Sequence, residues 1–236
     1  MPDPIVTNFV DAAITQLRRH NLMRSPGKIP DSMRDTSIPL SNGWIGWRPI
    51  PSIVTDADLD ALEHETSLAF PPLYRDFLQY LHFIELTETG IRFERHLPDT
   101  WRDSLRKAYF RSWPRKHTLD AGLLPFGDES FMDAGPVCFD TRHRLSDGDC
   151  PIVFWDHESE GTDNAVRKMF SSSRRMFECL SLVATSDLDF IRHDDDDDAA
   201  LLPRKRELMN QFLSLDPEGA GGPAKDYWTC WGVAPG

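Results

Sequence analysis

Several things are scarce in this chain, and each scarcity excludes something. Four cysteines (Cys138, Cys150, Cys179 and Cys230) are spread over 236 residues, too few and too far apart for a disulfide framework or a zinc motif. Cys138 and Cys150 flank one loop and are expected to stay reduced. No apolar run reaches the ~20 residues that cross a bilayer. The N-terminus, MPDPIVTNFVDAAITQLRRH, lacks the apolar stretch of a secretory leader. A cytoplasmic protein without a membrane partner is expected. Positive charge is also short: 26 Lys and Arg against 38 Asp and Glu leave −12, which disfavours direct binding to nucleic acid. No GxSxG elbow, Walker A loop, GxGxxG or HExxH occurs, and the eight histidines are scattered. His82, at a helix end, reads as structural or capping rather than as a base. No enzyme activity and no cofactor are expected.

What is present describes a soluble globular chain, 40% hydrophobic and 27% charged. Its centre runs from Leu123 to Glu158. Val137–Phe139 and Ile152–Trp155 are short apolar, β-rich runs, joined by the polar loop TRHRLSDGD. That is the pattern of paired strands in a long hairpin, and the missing polar alternation predicts sheet covered on both faces.

The flanks read mostly as helices. Val10, Ala13, Ile14 and Leu17 predict an amphipathic helix over 7–20. Pro and Gly residues, among them Pro26, Gly27, Pro30, Pro39, Gly43, Pro49 and Pro51, break up 24–52, where Trp44, Ile45 and Trp47 suggest a segment packed on the core. Thr55 caps a short helix, and Pro71–Pro72 open another whose stripe is Leu73, Tyr74, Phe77, Leu78 and Leu81. A strand or hairpin is expected over 84–93, with Gly90 as the turn. Further helices are expected from Asp99 or Thr100 to Tyr109, over 171–184 and over 204–215. The Asp194–Asp198 run reads as a solvated tract and 217–223 as a glycine-rich linker before an aromatic tail. There is no internal repeat.

Three pieces, in order and in register, resemble the SMI1/KNR4 family of the SUKH superfamily. They are FPPLYRDFLQYL (Phe70–Leu81), LLPFGDES (Leu123–Ser130) with VCFD (Val137–Asp140), and PIVFWDHES (Pro151–Ser159) followed by SSSRRMFECL. The resemblance covers 45–186. It leaves 1–44 as an N-terminal helix and irregular extension, and 187–236 as an acidic loop, helix and tail. It implies an α+β fold, a mainly antiparallel sheet covered by helices. In bacteria it implies an immunity protein that neutralises a toxin delivered by contact-dependent or type VI-like systems; fungal relatives are cell-wall and signalling regulators.

Three constellations invite chemistry, and each has a bland counterpart. Asp128, Glu129, Asp133, Asp140, Asp156 and Glu158 make an acidic binding face, or else simply follow the preference of Asp for turns. Asp140, His143, Asp147, Asp149, Asp156 and His157 offer metal-ligand types without metal-ligand spacing, so no metal is expected. Residues 101–117 hold six Lys or Arg and one Asp, a local +5 that leaves −17 elsewhere. Interleaved aromatics suggest a nucleic-acid or acidic-partner surface there, whereas the competing account is an amphipathic helix with a solvated basic face. The expected function is occlusion of a toxin's basic active-site cleft, a nuclease or another effector acting in the cytosol. The acidic face and exposed tryptophans such as Trp44 or Trp47 would anchor the interface. A regulatory scaffold is the alternative, and a metal-dependent hydrolase the third reading.

Overall fold

The computed structural model describes residues 1–162, 164–186, 188 and 200–231; the Asp194–Asp198 run and the last residues of the aromatic tail lie outside these. The N-terminal helix α1 (Pro4–Arg19) starts earlier than its apolar spacing suggests. Pro4 takes the first turn, where a missing N–H costs nothing, and the Asp3 carboxylate accepts from Ile5 N. The irregular segment that follows is held by two short strands, β1 (Arg24–Ser25) and β2 (Ile45–Gly46), and next comes β3 (Ile50–Pro51). Helix α2 (Asp56–Thr66) opens on a full capping box between Thr55 and Asp58. Helix α3 (Pro72–Tyr80) buries Leu73, Tyr74, Phe77 and Leu78. Leu81 does not extend its stripe: β4 (Leu81–His82) begins there and pairs with β3.

The main sheet then forms. Its strands are β5 (Thr87–Glu88), β6 (Ile91–Phe93), β7 (Leu123–Glu129), β8 (Pro136–Asp140), β9 (Ile152–Trp155) and β10 (Val166–Phe170). They pair antiparallel in the order β10-β9-β8-β7-β6-β5. Between β6 and β7 the chain makes α4 (Trp101–Lys107) and a π-helical turn, Ala108–Ser112. After the sheet come α5 (Ser173–Ser186), α6 (Leu202–Leu215) and α7 (Lys225–Trp231). This is an α+β fold with an antiparallel sheet, as the resemblance implies.

Every residue of β8 and β9 is buried, which explains the lack of polar alternation. Phe126, Phe139 and Phe154 face the large helical core, while Leu123, Cys138 and Val153 form a small cluster on the opposite face. The four cysteines are free thiols. The flanking segments share the main core. Phe9 of α1 packs against Phe93 and Phe177, with ring centroids 5.7 and 5.5 Å apart.

The reading of 217–223 as a linker is corrected. Ala220 and Ala224 are buried, and Asp216 Oδ2 accepts from Ser171 N and Ala220 N at 2.8 and 3.1 Å. The turn therefore brings α7 home, where Trp228 is fully buried against Phe170 and Phe212 and donates to Met169 O at 3.1 Å. Glycine content signals a turn here, because the aromatic residues beyond it have apolar surface to bury.

Candidate functional site

Strand register decides which carboxylates share a site. Leu123 lies opposite Asp140, at the start of β7, whereas Asp128 lies opposite Pro136, at its end. Asp140 is therefore at one end of the sheet, away from Asp128, Glu129 and Asp133. Asp156 and Glu158 belong with the latter group, since His157 N donates to Ala134 O at 3.0 Å. Gly135 makes this end compact: a Cβ there would sit 2.2 Å from Trp155 O.

Three of the six expected surface carboxylates turn inward, and that expectation is corrected for each. Glu129 is fully buried and accepts from Phe131 N, Met132 N and Ala134 N, and from Tyr227 Oη at 2.7 Å; it holds the β7–β8 turn and tethers α7. Asp140 is buried beneath Arg142, which reaches it through Nε at 2.7 Å and Nη2 at 2.8 Å, and beside His143 at 2.9 Å. Burial works to raise its pKa, but those two partners prevail and hold it below the ordinary carboxylate range. Asp156 is buried and binds Glu158 N and Ser159 Oγ, each at 3.0 Å. Trp47 is also corrected: it is 1% exposed, whereas Trp44 is 44% exposed. The short strands β1 and β2 draw the Trp47 backbone, and its ring with it, toward the core.

The remaining carboxylates form a smaller rim. Asp133 is exposed, in the left-handed region at φ +54°, and Glu158 is exposed. Asp128 is half-buried; it pairs with Arg92 at 3.3 Å and accepts from Trp113 Nε1 at 3.4 Å. Trp113 continues the rim, edge-on to Trp155 and beside His157, and His117 stacks on Trp155 with centroids 4.7 Å apart.

A residue the sequence reading missed lies beside Asp128. Glu94, just beyond β6, lines a cavity of about 360 Å³ with Asp128, Arg92, Arg95, Glu85 and Ser25. Burial above all, and then the charge of Asp128, push its carboxyl up to about 7 against the pull of Lys107 and Arg92. Among the described residues its carboxylate has no hydrogen bond or ion pair. The available signal was parity: Arg92 faces Asp128 across the ladder, and Glu94 repeats that side two residues on.

The other two constellations dissolve. Asp140 and Asp156 sit at opposite ends of the sheet, and Asp149 is turned into the start of α5, bonding Ser173 and Arg174. No group of three metal-ligating side chains converges among the described residues. In the basic segment, Trp101 and Tyr109 are core. Arg102 and Arg106 pair with Glu65, Arg115 with Asp120, and Lys116 with Glu160, so most of its charge is spent locally. The buried thiols offer no nucleophile: desolvation raises Cys138 and Cys179 well above the usual range and Cys150 to about 11. No described helix is long and apolar enough to cross a membrane.

Comparison with known families finds a match. The model of the SMI1 / KNR4 family (SUKH-1) aligns with residues 53–179, from just before α2 into α5 and across all six strands of the main sheet. No curated protein matches the chain.

Proposed function

The chain belongs to the SMI1/KNR4 (SUKH-1) family, a family of immunity-type proteins, and from that premise we propose that it binds and neutralises a cognate bacterial toxin. Family membership is the observation that carries this reading. The surface chemistry supports it with a rim of Asp128, Asp133 and Glu158 and, next to it, the unpaired Glu94. A cleft that holds nucleic acid phosphates is basic, and such a rim complements it. The mechanism is occlusion. An interface of about 1,600 Å² with a few anchors reaches nanomolar affinity without any bond being made or broken. The protein acts by binding, not by catalysis.

The test is affinity capture of the tagged protein from its native strain, with partners identified by mass spectrometry. One stoichiometric partner carrying a toxin-like C-terminal domain is expected. Recovery of several housekeeping proteins instead would replace immunity with a regulatory scaffold. Given the partner, the paired change Asp128→Lys and Asp133→Lys is expected to weaken the complex at least tenfold, read by titration calorimetry. Unchanged affinity would remove this rim from the interface. Glu129→Lys is unsuitable for that test, since it would strand a buried charge and unfold the turn.

A further inference from the structure

A second cavity, of about 320 Å³, shares no lining residue with the Glu94 cavity. It opens where the end of α1, the β1–β2 pair and the turn at 35–38 meet, and its wall includes Arg18, Arg24, Asp35, Ser37 and Trp47. The backbone around it is well tied. Trp47 N donates to Met23 O at 3.1 Å, Asp35 N to Gly46 O at 2.9 Å, and Arg24 pairs with Gly46 across the short ladder.

Among the described residues, two donors carried by side chains of this wall have nothing to donate to. Trp47 is 1% exposed, and its indole Nε1 is buried without a hydrogen-bond partner. Arg24 Nε is buried and unpartnered as well, although its Nη1 donates to Asn21 O at 3.1 Å. Folded proteins satisfy nearly all buried donors, so two orphans around one hollow mark the place of an acceptor. The charge points the same way. The lining carries two guanidinium groups, Arg18 and Arg24, against a single carboxylate, Asp35, whose Oδ1 is already taken by Ser37 N and Oγ at 2.9 and 2.6 Å. An oxyanion fits this set, because guanidinium and indole N–H groups bond charged oxygen more strongly than neutral oxygen.

We propose that this cavity is an oxyanion-binding site, taking a carboxylate or a phosphate, in which Trp47 Nε1 and Arg24 Nε donate and Arg18 supplies charge at the exposed edge. The tryptophan expected from sequence to be a surface anchor thus serves as a buried donor. The site is separate from the acidic rim and does not depend on the toxin reading.

The experiment follows the Trp47 indole N–H by ¹H–¹⁵N NMR in the full chain, during separate titrations with inorganic phosphate and acetate. Sodium chloride controls for ionic strength. A saturable shift with at least one oxyanion, absent with chloride and weakened tenfold or more in Arg18→Gln and Arg24→Gln, is expected. Saturation by phosphate alone assigns phosphate as the ligand class; saturation by acetate shows that a peptide carboxylate is accepted. A linear drift matching that of chloride for both anions, or saturation unaltered in the variants, overturns the proposal. Arg18 is exposed, so its variant keeps the fold and gives an interpretable result even if Arg24→Gln does not fold.

Discussion

Glu94 carries an unfavourable charge at neutral pH, and the sign of its effect is testable. Its pKa is raised in the folded protein, so the folded state holds the proton more tightly than the unfolded one. The penalty is absent below pH 4.5, grows as pH rises, and is complete above about 7. Glu94→Gln is therefore expected to stabilise the protein at pH 8 by about 1–2 kcal/mol, discounted for partial exposure, and to change little at pH 4. Urea unfolding at the two pH values checks this. A functional carboxylate can bear such a cost if a cationic partner offsets it, and for that reason Glu94 belongs with the rim. From sequence it is one of 38 acidic residues; only its placement beside Asp128, facing no cation closely enough to pair, sets it apart. Glu129 is the converse case. Its sequence neighbourhood, GDES, suggests an exposed turn, yet four hydrogen bonds fold the carboxylate inward.

Helices and turns here are fastened by side chains, some of them distant in sequence. The Thr55–Asp58 box of α2 is local and was legible, because the spacing itself contains the mechanism. The start of α5 is only half local. Ser172 Oγ accepts from Arg175 N at 3.1 Å, as a serine-headed helix leads one to expect. Asp149, 24 residues earlier, takes Ser173 N and Arg174 N, each at 3.1 Å, along with Cys150 N at 2.7 Å. Asp149→Ala should therefore cost about 2 kcal/mol or more, since it uncaps a helix and strands buried donors. A drop in the urea midpoint would show it, with Asp149→Asn falling in between. Helix α7 was illegible for a related reason: seven residues after a glycine-rich stretch carry little periodicity, and Trp228 becomes core only when the turn at 216–224 closes. Trp228→Ala should destabilise by about 3–5 kcal/mol. A loss under 1 kcal/mol would show that α7 is merely appended.

At the scale of the whole molecule, two sets of groups titrate with opposite effects on stability. His82 and His96 face each other in its interior, with Nδ1 atoms 3.2 Å apart. Ile53 N donates to His82 Nε2 at 3.1 Å, so the neutral ring carries its proton on Nδ1 and donates to His96 O. His96 likewise donates to Leu81 O. Burial lowers both, His96 to about 3. Both rings fold as neutral species, so their stability is complete above the unfolded value of 6.5 and is lost as pH falls toward 3. Between about 4.5 and 6.5 this opposes the Glu94 effect. Glu94→Gln should therefore unmask a steep loss of stability below pH 6.5, and His96→Leu added to it should remove most of that loss; a flat profile in Glu94→Gln would refute the assignment. The sequence by itself determined the family, the α+β class, the central hairpin and most helices. These rest on local periodicity, capping and turn chemistry, which act over a few residues. Tertiary structure alone decided that Asp140 lies far from Asp156, that Trp47 is buried while Trp44 is not, that the supposed linker carries core, that Glu94 sits beside Asp128 and that the Trp47–Arg24 cavity exists at all. Those outcomes depend on strand register and on contacts between residues far apart in the chain, where one shift in pairing changes which side chains meet.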